Sequence, residues 1–167
     1  DVSSLEEVCK RLLTEKGLTL ATAESCTGGA IAQRLTALPG VSAVYRGGVV
    51  SYWTSVKADV LGVPQALLDE YGAVSEQTAR AMAQGVCRAT GAEVGVSVTG
   101  VAGPDADERG NPVGLVFLGL HTPDGTFCRR LDLGSRRRDR IRSVSVNTAL
   151  DMVRRYLSGL PLAPAAR

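Results

Sequence analysis

Residues 18–29 read LTLATAESCTGG. Residues 18–23 form an apolar run of the length of a buried strand, and from residue 27 to residue 38 apolar side chains recur at the period of a helix. A strand that passes through a glycine-containing corner into a helix is a building unit of α/β domains. The corner carries one serine, Ser25, just after the strand.

The rest of the chain continues this alternation of strands and helices. Residues 122–125 read TPDG, which is strong turn chemistry, so the two strands that flank them should form a hairpin. We therefore expect an α/β layered single domain over residues 1–157, with a mixed β-sheet flanked by helices, and a loose tail over residues 158–167. The predicted helices cover residues 4–15, 54–61, 64–72, 75–90 and 135–157, and the further strands cover residues 44–53, 94–99, 113–121 and 126–133.

Composition narrows the class of protein. The chain has 167 residues, of which 44% are hydrophobic, and its net charge of +2 lacks the strong basic excess of a nucleic-acid binder. No apolar stretch approaches the roughly 20 residues of a membrane span, and no secretory signal is visible. Its cysteines are scattered, without a CxxC pair, which is typical of reduced thiols in a cytoplasmic protein and predicts neither a metal site nor a cofactor. These cysteines are Cys9, Cys26, Cys87 and Cys128.

Ser25 requires a base if it is to act as a nucleophile, because a serine hydroxyl is unreactive at neutral pH. The chain has a single histidine, His121, and only three lysines against sixteen arginines. One of those lysines, Lys57, lies in an apolar neighbourhood. Burial can bring the pKa of a lysine down to the range where it loses its proton, whereas arginine stays charged. Ser25 and Lys57 therefore form a candidate serine–lysine dyad.

Simpler explanations exist for each of these residues. Ser25 is a favoured residue for the N-cap of the helix that follows it. Lys57 could be an ordinary solvated lysine. Tyr52 could relay a proton or orient the amine of Lys57, or it could only pack against its strand.

Two further features suggest an anion site. The loop of residues 100–104 follows a predicted strand, as ligand loops in α/β domains tend to do. Arg138 and Arg142 stand four positions apart in the opening turns of the last predicted helix, where they repel each other and the helix dipole disfavours cations. A bound phosphate or carboxylate would relieve both costs. The alternative is a solvated basic face.

Four motifs follow one another along the chain. They are AESCTGG at residues 23–29, GVVSY at residues 48–52 with Lys57, GAVSE at residues 72–76, and TGVAGP at residues 99–104 with PVG at residues 112–114. Together they resemble the CinA C-terminal domain family, in order and over about residues 5–157. Members of this family include nicotinamide mononucleotide deamidases, which convert nicotinamide mononucleotide to nicotinate mononucleotide and ammonia in pyridine nucleotide recycling.

The resemblance implies an amidohydrolase in which Ser25 is the nucleophile, Lys57 is the general base and Tyr52 belongs to the same catalytic motif. It implies a small-molecule nucleotide as substrate and, in some members, an upstream molybdopterin-type domain. A homodimer is expected as well, because the predicted helices carry much alanine and valine. The implied substrate contacts are Thr27, Gly28, Gly29, Gly48, Thr99, Gly100, Ala102, Gly103 and one arginine, with Arg142 aligning best and Arg138 as the alternative.

The chain departs from the family pattern at two places. Thr54 stands where the family commonly has asparagine, and residues 105–111 replace a stretch that often contains two glycines and a later lysine. Two other functions therefore stay open. One is a non-catalytic nucleotide-binding or regulatory domain of a larger protein, and the other is a serine–lysine amidase for a different small amide.

Overall fold

The computed structural model describes residues 3–165 and contains five strands and six α-helices in that part of the chain. The helices are α1 (Leu5–Lys16), α2 (Ala30–Thr36), α3 (Thr54–Asp59), α4 (Gln65–Tyr71), α5 (Glu76–Thr90) and α6 (Arg138–Leu157), with a short 3-10 helix at Val41–Ala43. The strands are β1 (Leu20–Glu24), β2 (Tyr45–Val50), β3 (Val94–Gly100), β4 (Leu115–Thr122) and β5 (Gly125–Asp132).

The strands form one mixed sheet in the order β2-β1-β3-β4-β5. Strand β1 pairs in parallel with both β2 and β3, so that Glu24 lies opposite Val50 on one side and Val98 on the other. Strands β3, β4 and β5 are antiparallel neighbours, and β4 and β5 form the predicted hairpin. The predicted α/β class with a mixed sheet is confirmed. Because the carboxyl ends of β1, β2 and β3 meet at one edge, the segments that follow them lie close together.

Helices cover both faces of the sheet. On one face, α1, α2 and α6 contribute to a core of aliphatic side chains that includes Leu13, Ile31 and Leu150. On the other face, Met82 and Val86 of α5 pack with small side chains of β1. All five residues of β1 are buried, as expected for a central strand with neighbours on both faces.

Helix α5 approaches its neighbours unusually closely. A Cβ atom on Gly119 of β4 would lie 2.3 Å from the carbonyl oxygen of Ala79, so the helix backbone rests directly on the strand. Ser97 uses the same carbonyl as an acceptor, at 2.6 Å. On the other side of α5, a Cβ atom on Gly85 would lie 1.9 Å from the carbonyl oxygen of Leu61. Both glycines are required by this close packing.

Three predicted boundaries differ from the structure by three residues each. Helix α2 begins at Ala30 rather than Thr27, because Gly28 and Gly29 adopt positive φ angles of 62° and 100°. Strand β2 ends at Val50 rather than at residue 53. Helix α6 begins at Arg138 rather than at residue 135, since Arg137 before it is extended.

The loop between β3 and β4 is held by its own side chains. Asp107 accepts hydrogen bonds from the backbone N–H groups of Arg109 (3.0 Å) and Asn111 (2.8 Å). The guanidinium of Arg109 donates to the carbonyl groups of Leu68, Asp69 and Glu70 at the end of α4. Cations are favoured at that position by the helix dipole. The loop is therefore fastened to α4.

The ends of the chain add little to the sheet. Residues 158–165 follow α6 without a further helix or strand, and Leu162 packs partly against the core. Residues 1–2 of the predicted domain and residues 166–167 of the predicted tail lie outside the described residues. Among residues 3–165, no helix is long and apolar enough to cross a membrane.

We predict that Gly85→Ala destabilises the fold by about 1–3 kcal/mol, because the added methyl group would overlap the carbonyl of Leu61. In an open helix the same change would be stabilising, through the better helix propensity of alanine. Urea unfolding followed by circular dichroism measures the effect. The reverse substitution at an exposed site of the same helix, Ala89→Gly, is the control and should cost about 1 kcal/mol. A stabilised Gly85→Ala variant would contradict the close approach.

Candidate active site

Ser25 is fixed at the end of the central strand. Its backbone N–H donates to the carbonyl of Val98 at 3.0 Å, which extends the pairing of β1 with β3 by one residue. The side chain is on the opposite side of the strand from Glu24, as alternation along a strand requires. Only 8% of the residue is exposed, so its hydroxyl lies inside the protein rather than on the surface.

Lys57 meets Ser25 from helix α3. Its Nζ atom lies 3.0 Å from Oγ of Ser25 and donates to the carbonyl oxygen of Ser51 at 2.5 Å. Lys57 is 1% exposed, which rules out the solvated surface lysine. The three residues come from the ends of β1 and β2 and from α3, so the arrangement depends on the parallel pairing of those strands.

Burial lowers the pKa of Lys57 from 10.5 to about 8. No carboxylate among residues 3–165 forms an ion pair with this amine that would hold its proton. A substantial fraction of Lys57 is therefore neutral in slightly alkaline solution. A neutral amine beside a serine hydroxyl is the arrangement that can remove the proton of the hydroxyl.

The corner after β1 is a turn rather than the start of a helix. In this Ser25 turn, residues 25–29, the N–H of Gly28 donates to the carbonyl of Ser25 at 3.0 Å. The N-cap of α2 is Gly29, so the interpretation of Ser25 as an N-cap is wrong. The two glycines with positive φ separate Ser25 from the helix, and its side chain is free to face Lys57.

Glu24 takes over the capping role that Ser25 lacks, and sequence reasoning missed it. Its carboxylate accepts hydrogen bonds from the N–H groups of Ile31 (2.9 Å) and Ala32 (3.1 Å) and from the hydroxyl of Thr27 (2.6 Å). The residue is 1% exposed. An acidic residue shortly before a helix is favoured by the helix dipole, and that signal could have found it. Glu24 ties the Ser25 turn to α2.

Several backbone donors of the Ser25 turn remain available. Among residues 3–165, the N–H groups of Cys26, Thr27 and Gly29 have no hydrogen-bond acceptor. The N–H of Gly28 donates to the carbonyl of Ser25, so it is not available as the ligand-binding donor that the sequence predicted. Free N–H groups beside a nucleophile are suited to hold a negative oxygen atom.

Cys26 is adjacent to Ser25 but is unsuited to replace it. The residue is buried, and burial raises the pKa of its thiol to about 11. The thiolate is the reactive form of cysteine, so this thiol is inert near neutral pH. The prediction that Cys26 has a packing role is supported. All four cysteines of the chain are free thiols.

Arg142 lies against the Ser25 turn. Its Nε atom donates to the carbonyl oxygen of Cys26 at 3.0 Å, and its Nη2 atom donates to that of Thr27 at 3.1 Å. A Cβ atom on Gly28 would come within 3.2 Å of Nη2, so glycine allows the guanidinium to approach the backbone. Two of the three guanidinium nitrogens of this half-buried residue are thus occupied by the protein itself.

Arg138 and Tyr52 form an exposed rim near the site. Arg138 donates to the carbonyl of Gly103 at 2.6 Å and to the hydroxyl of Tyr52 at 3.0 Å. Tyr52 is 55% exposed and forms no hydrogen bond with Lys57, so it does not orient the amine. Trp53, the single tryptophan of the chain, follows it and is 74% exposed. A surface depression of about 440 Å³ adjoins this rim and is lined by Arg137, Arg138, Asp139 and Arg142.

The loop after β3 contributes mainly through packing. The hydroxyl of Thr99 donates to the carbonyl of Ala73 at 2.8 Å, which joins two of the four motifs. A Cβ atom on Gly100 would lie 2.8 Å from Cγ2 of Val116, so this glycine is required by the neighbouring strand. Ala102 is buried in the core. Of the predicted contacts in this loop, Gly103 is the one that touches an arginine of the rim.

Gly48 has a structural reason of its own. A Cβ atom there would lie 2.2 Å from the hydroxyl oxygen of Thr22 and 2.8 Å from that of Tyr45. These two hydroxyl groups are hydrogen-bonded to each other at 2.6 Å. The glycine thus makes room for a side-chain bridge between β1 and β2. The structure shows no contact of Gly48 with the Ser25–Lys57 pair.

Two larger depressions lie elsewhere on the surface. One, of about 540 Å³, lies beside the start of α5 and β5, and the other, of about 580 Å³, lies along α1. Neither is lined by Ser25 or Lys57. Volume alone would select the wrong place, whereas the buried dyad selects the edge of the sheet. Among residues 3–165, no group of three acidic, histidine or cysteine residues could hold a metal ion.

Comparison with known proteins gives one consistent family. The CinA C-terminal domain model matches residues 2–157. A CinA-like protein of Frankia casuarinae is 54% identical over 158 residues, which are 95% of this chain and 36% of that protein. A CinA-like protein of Dictyoglomus turgidum is 46% identical over 158 residues, again 95% of this chain and 38% of the relative. The chain therefore spans little more than a third of the length of these curated relatives.

Solved structures of similar proteins have the same fold as this chain. The crystal structure of the competence/damage inducible protein CihA from Agrobacterium tumefaciens is 41% identical, with a TM-score of 0.84, and the match covers 94% of this chain and 97% of that one. A CinA superfamily protein from Escherichia coli is 29% identical with the same TM-score, and the match covers 95% of this chain and 94% of the other.

We predict that Lys57 makes stability rise with pH between about pH 8 and 10.5. The unfolded chain binds more protons than the folded protein in this window, because the pKa of Lys57 is 10.5 in one and about 8 in the other. The unfolding free energy of the unaltered protein minus that of Lys57→Met should increase by up to about 1.4 kcal/mol per pH unit there. Below about pH 7 the difference should be constant.

Urea unfolding by circular dichroism at several pH values measures this difference. Other titrating groups are shared by both proteins and cancel in the comparison. A difference that does not change between pH 8 and 10.5 would contradict the lowered pKa.

Proposed function

The chain belongs to the CinA C-terminal domain family, and on that basis we propose that it hydrolyses the carboxamide of nicotinamide mononucleotide to nicotinate mononucleotide and ammonia. The observation that carries this proposal is the 3.0 Å distance between Nζ of the buried Lys57 and Oγ of Ser25. It supports amide hydrolysis by a serine–lysine mechanism. The substrate itself is taken from the family resemblance of the four motifs.

The first step is attack by Ser25 on the carboxamide carbon. Neutral Lys57 has one lone pair and two N–H bonds. The carbonyl of Ser51 accepts one of the N–H groups, which helps to aim the lone pair at the serine hydroxyl. Lys57 takes the proton while the serine oxygen forms a bond to the carbon and the carbonyl electrons move to oxygen. The positively charged pyridinium ring makes that carbon electrophilic, so the proposed step requires no metal ion.

The negative oxygen that forms in this step requires donors. The free N–H groups of Cys26, Thr27 and Gly29 are the groups available beside Ser25. Losing one donor of this kind typically costs about 10²–10³ in rate. The donors belong to the Ser25 turn itself, because the N-terminus of α2 is occupied by the carboxylate of Glu24.

Collapse of the intermediate releases ammonia. Protonated Lys57 returns its proton to the departing nitrogen, the C–N bond breaks, and a nicotinoyl ester of Ser25 remains. Tyr52 is bonded to Arg138 at the exposed rim, which favours Lys57 over Tyr52 as the proton donor. Neutral Lys57 then takes a proton from water, and the resulting hydroxide attacks the ester carbon. The bond from this carbon to the oxygen of Ser25 breaks, and protonated Lys57 returns its proton to that oxygen, which regenerates both residues.

Arg138 is the better candidate for the 5′-phosphate. It is exposed, whereas Arg142, which lines the same depression of about 440 Å³, is half-buried. Arg142 already donates two hydrogen bonds to the backbone. A phosphate held by Arg138 would fix the position of the nucleotide, which lowers the entropy cost of the reaction without changing the chemistry at the amide.

The larger setting of this domain stays a prediction. The matched region is 36% and 38% of the length of the two relatives, which is compatible with an upstream molybdopterin-type domain. We also keep the homodimer and the cytoplasmic location as proposals.

We predict that the purified protein releases ammonia from nicotinamide mononucleotide and that Ser25→Ala abolishes this release while keeping the fold. Ser42→Ala removes an exposed serine outside the site and should leave the rate unchanged. Coupled detection of ammonia and chromatography of nicotinate mononucleotide provide two readouts. Full activity of Ser25→Ala would exclude the serine mechanism.

The same assay separates the alternatives. A phosphate-reading enzyme should use nicotinamide mononucleotide far better than nicotinamide riboside or nicotinamide. Hydrolysis of simple amides at comparable rates would indicate a general amidase. A ligand-induced rise in melting temperature without ammonia release would indicate a nucleotide-binding domain.

We predict that kcat/KM rises with pH and levels off above about pH 8, because the neutral form of Lys57 is the base and its pKa is about 8 in the free enzyme. Lys57→Arg should be inactive at every pH in this range, since a guanidinium does not lose its proton. Initial rates between pH 6 and 9.5 measure the profile. A rate that falls with pH across this range would contradict a lysine base.

A further inference from the structure

Arg142 holds two consecutive carbonyl groups of the Ser25 turn. We propose that Arg142 is a positioning residue, which orients the peptide N–H groups that receive the negative oxygen, rather than the ligand of the substrate phosphate. The inference rests on the proposed function, because it assigns Arg142 a role in the same hydrolysis. It reverses the assignment that the sequence favoured.

The argument begins with the geometry of the peptide bond. In a trans peptide, the C=O and N–H groups point in opposite directions. Among residues 3–165 the only cis bond is Gly103–Pro104, so the peptides of the Ser25 turn are trans. Since the carbonyls of Cys26 and Thr27 point to Arg142, the N–H groups of Thr27 and Gly28 point away from it.

The side that faces away from Arg142 includes the backbone of Ser25. The N–H of Gly28 shows this, because it donates to the carbonyl oxygen of Ser25 at 3.0 Å. The N–H of Thr27 belongs to the preceding peptide, has the same constraint from Arg142, and has no acceptor among residues 3–165. Arg142 thus holds a free donor on the face of the turn opposite to its guanidinium, two residues from the nucleophile.

One of the two peptides that Arg142 holds, the one between Thr27 and Gly28, adjoins a glycine, and the other, between Cys26 and Thr27, is linked to it through Thr27. Gly28 and Gly29 have φ angles of 62° and 100°, and glycine rotates between such conformations with little steric resistance. A rotated peptide would present a carbonyl oxygen where the N–H should be, which would repel the developing negative charge. Two hydrogen bonds from one rigid guanidinium resist that rotation.

The same contacts explain why two arginines of like charge occur four positions apart. Arg142 is half-buried and donates hydrogen bonds to two carbonyl oxygens. Arg138 is exposed and donates to one carbonyl oxygen and to a tyrosine hydroxyl. These backbone carbonyl groups offset part of the repulsion between the two arginines. The sequence alone had suggested that a bound anion would relieve this repulsion. The two arginines therefore have different roles.

Kinetics of matched variants test the division. Arg142→Met should lower kcat for nicotinamide mononucleotide by about 10²-fold, the typical effect of losing an oxyanion donor, with KM changed by less than about threefold. The loss in kcat/KM should be the same for nicotinamide riboside, which has no phosphate. Arg138→Met should instead raise KM for the mononucleotide and leave the riboside unaffected.

Two further variants complete the test. Arg140→Met removes the same charge from an exposed side chain of α6 and should change neither substrate's kinetics. Arg142→Lys keeps a charge but lacks the planar fork, so we expect a smaller loss of kcat than in Arg142→Met and an unchanged KM. It also covers the case in which Arg142→Met does not fold. A raised KM for the mononucleotide alone, in either Arg142 variant, would overturn the proposal and make Arg142 the phosphate ligand.

A reaction that needs no nucleotide separates this inference from the proposed function. Ser25 attacks p-nitrophenyl acetate, its oxygen bonds to the acetyl carbon, Lys57 takes the proton, and p-nitrophenolate leaves. Mass spectrometry follows the acetylated protein, with Ser25→Ala as the background. Slower acetylation of Arg142→Met than of Arg140→Met supports the inference even if nicotinamide mononucleotide is not hydrolysed. Equal acetylation rates overturn it even if the mononucleotide is hydrolysed.

Discussion

The arrangement of this site depends on one buried amine. Lys57 is enclosed by the protein without a carboxylate partner, and its closest polar contacts are a serine hydroxyl and a backbone carbonyl. Burying an unpaired charge is costly, and this cost lowers the pKa of Lys57 to about 8. The lost hydration of Lys57 thus makes the neutral amine, the form that can take the proton of Ser25, available in slightly alkaline solution.

The mixed sheet brings the parts of the site to one edge. The parallel pairing of β1 with β2 places Ser25 near Ser51, and its pairing with β3 places the loop of residues 100–104 beside them. Around this edge, Glu24 fixes the turn from the side of α2 and Arg142 fixes it from α6. A turn that contains two glycines is thus held at the end of the central strand by charged side chains on both flanks.

Periodicity and turn residues were sufficient to predict the α/β class, the hairpin and most elements, because the apolar positions follow the periods of buried strands and helices. The scarcity of lysine pointed to Lys57, since the chain has arginine at most of its basic positions. The role of Glu24 could have been predicted from its position shortly before a helix. The role of Arg142 could not, because its partners are backbone carbonyl groups that carry no sequence signal. The N-cap interpretation of Ser25 failed because the positive φ angles of two glycines delay the helix.

The single tryptophan has a practical consequence. Trp53 is 74% exposed in the folded protein, and it would be in water in the unfolded chain as well. Its emission should therefore change little during denaturation, in contrast to that of a buried indole. Trp53 directly follows Tyr52 at the rim and precedes the helix that carries Lys57. The fluorescence of Trp53 should thus report little on folding, and its position next to Tyr52 suits it to report the binding of a ligand at the rim.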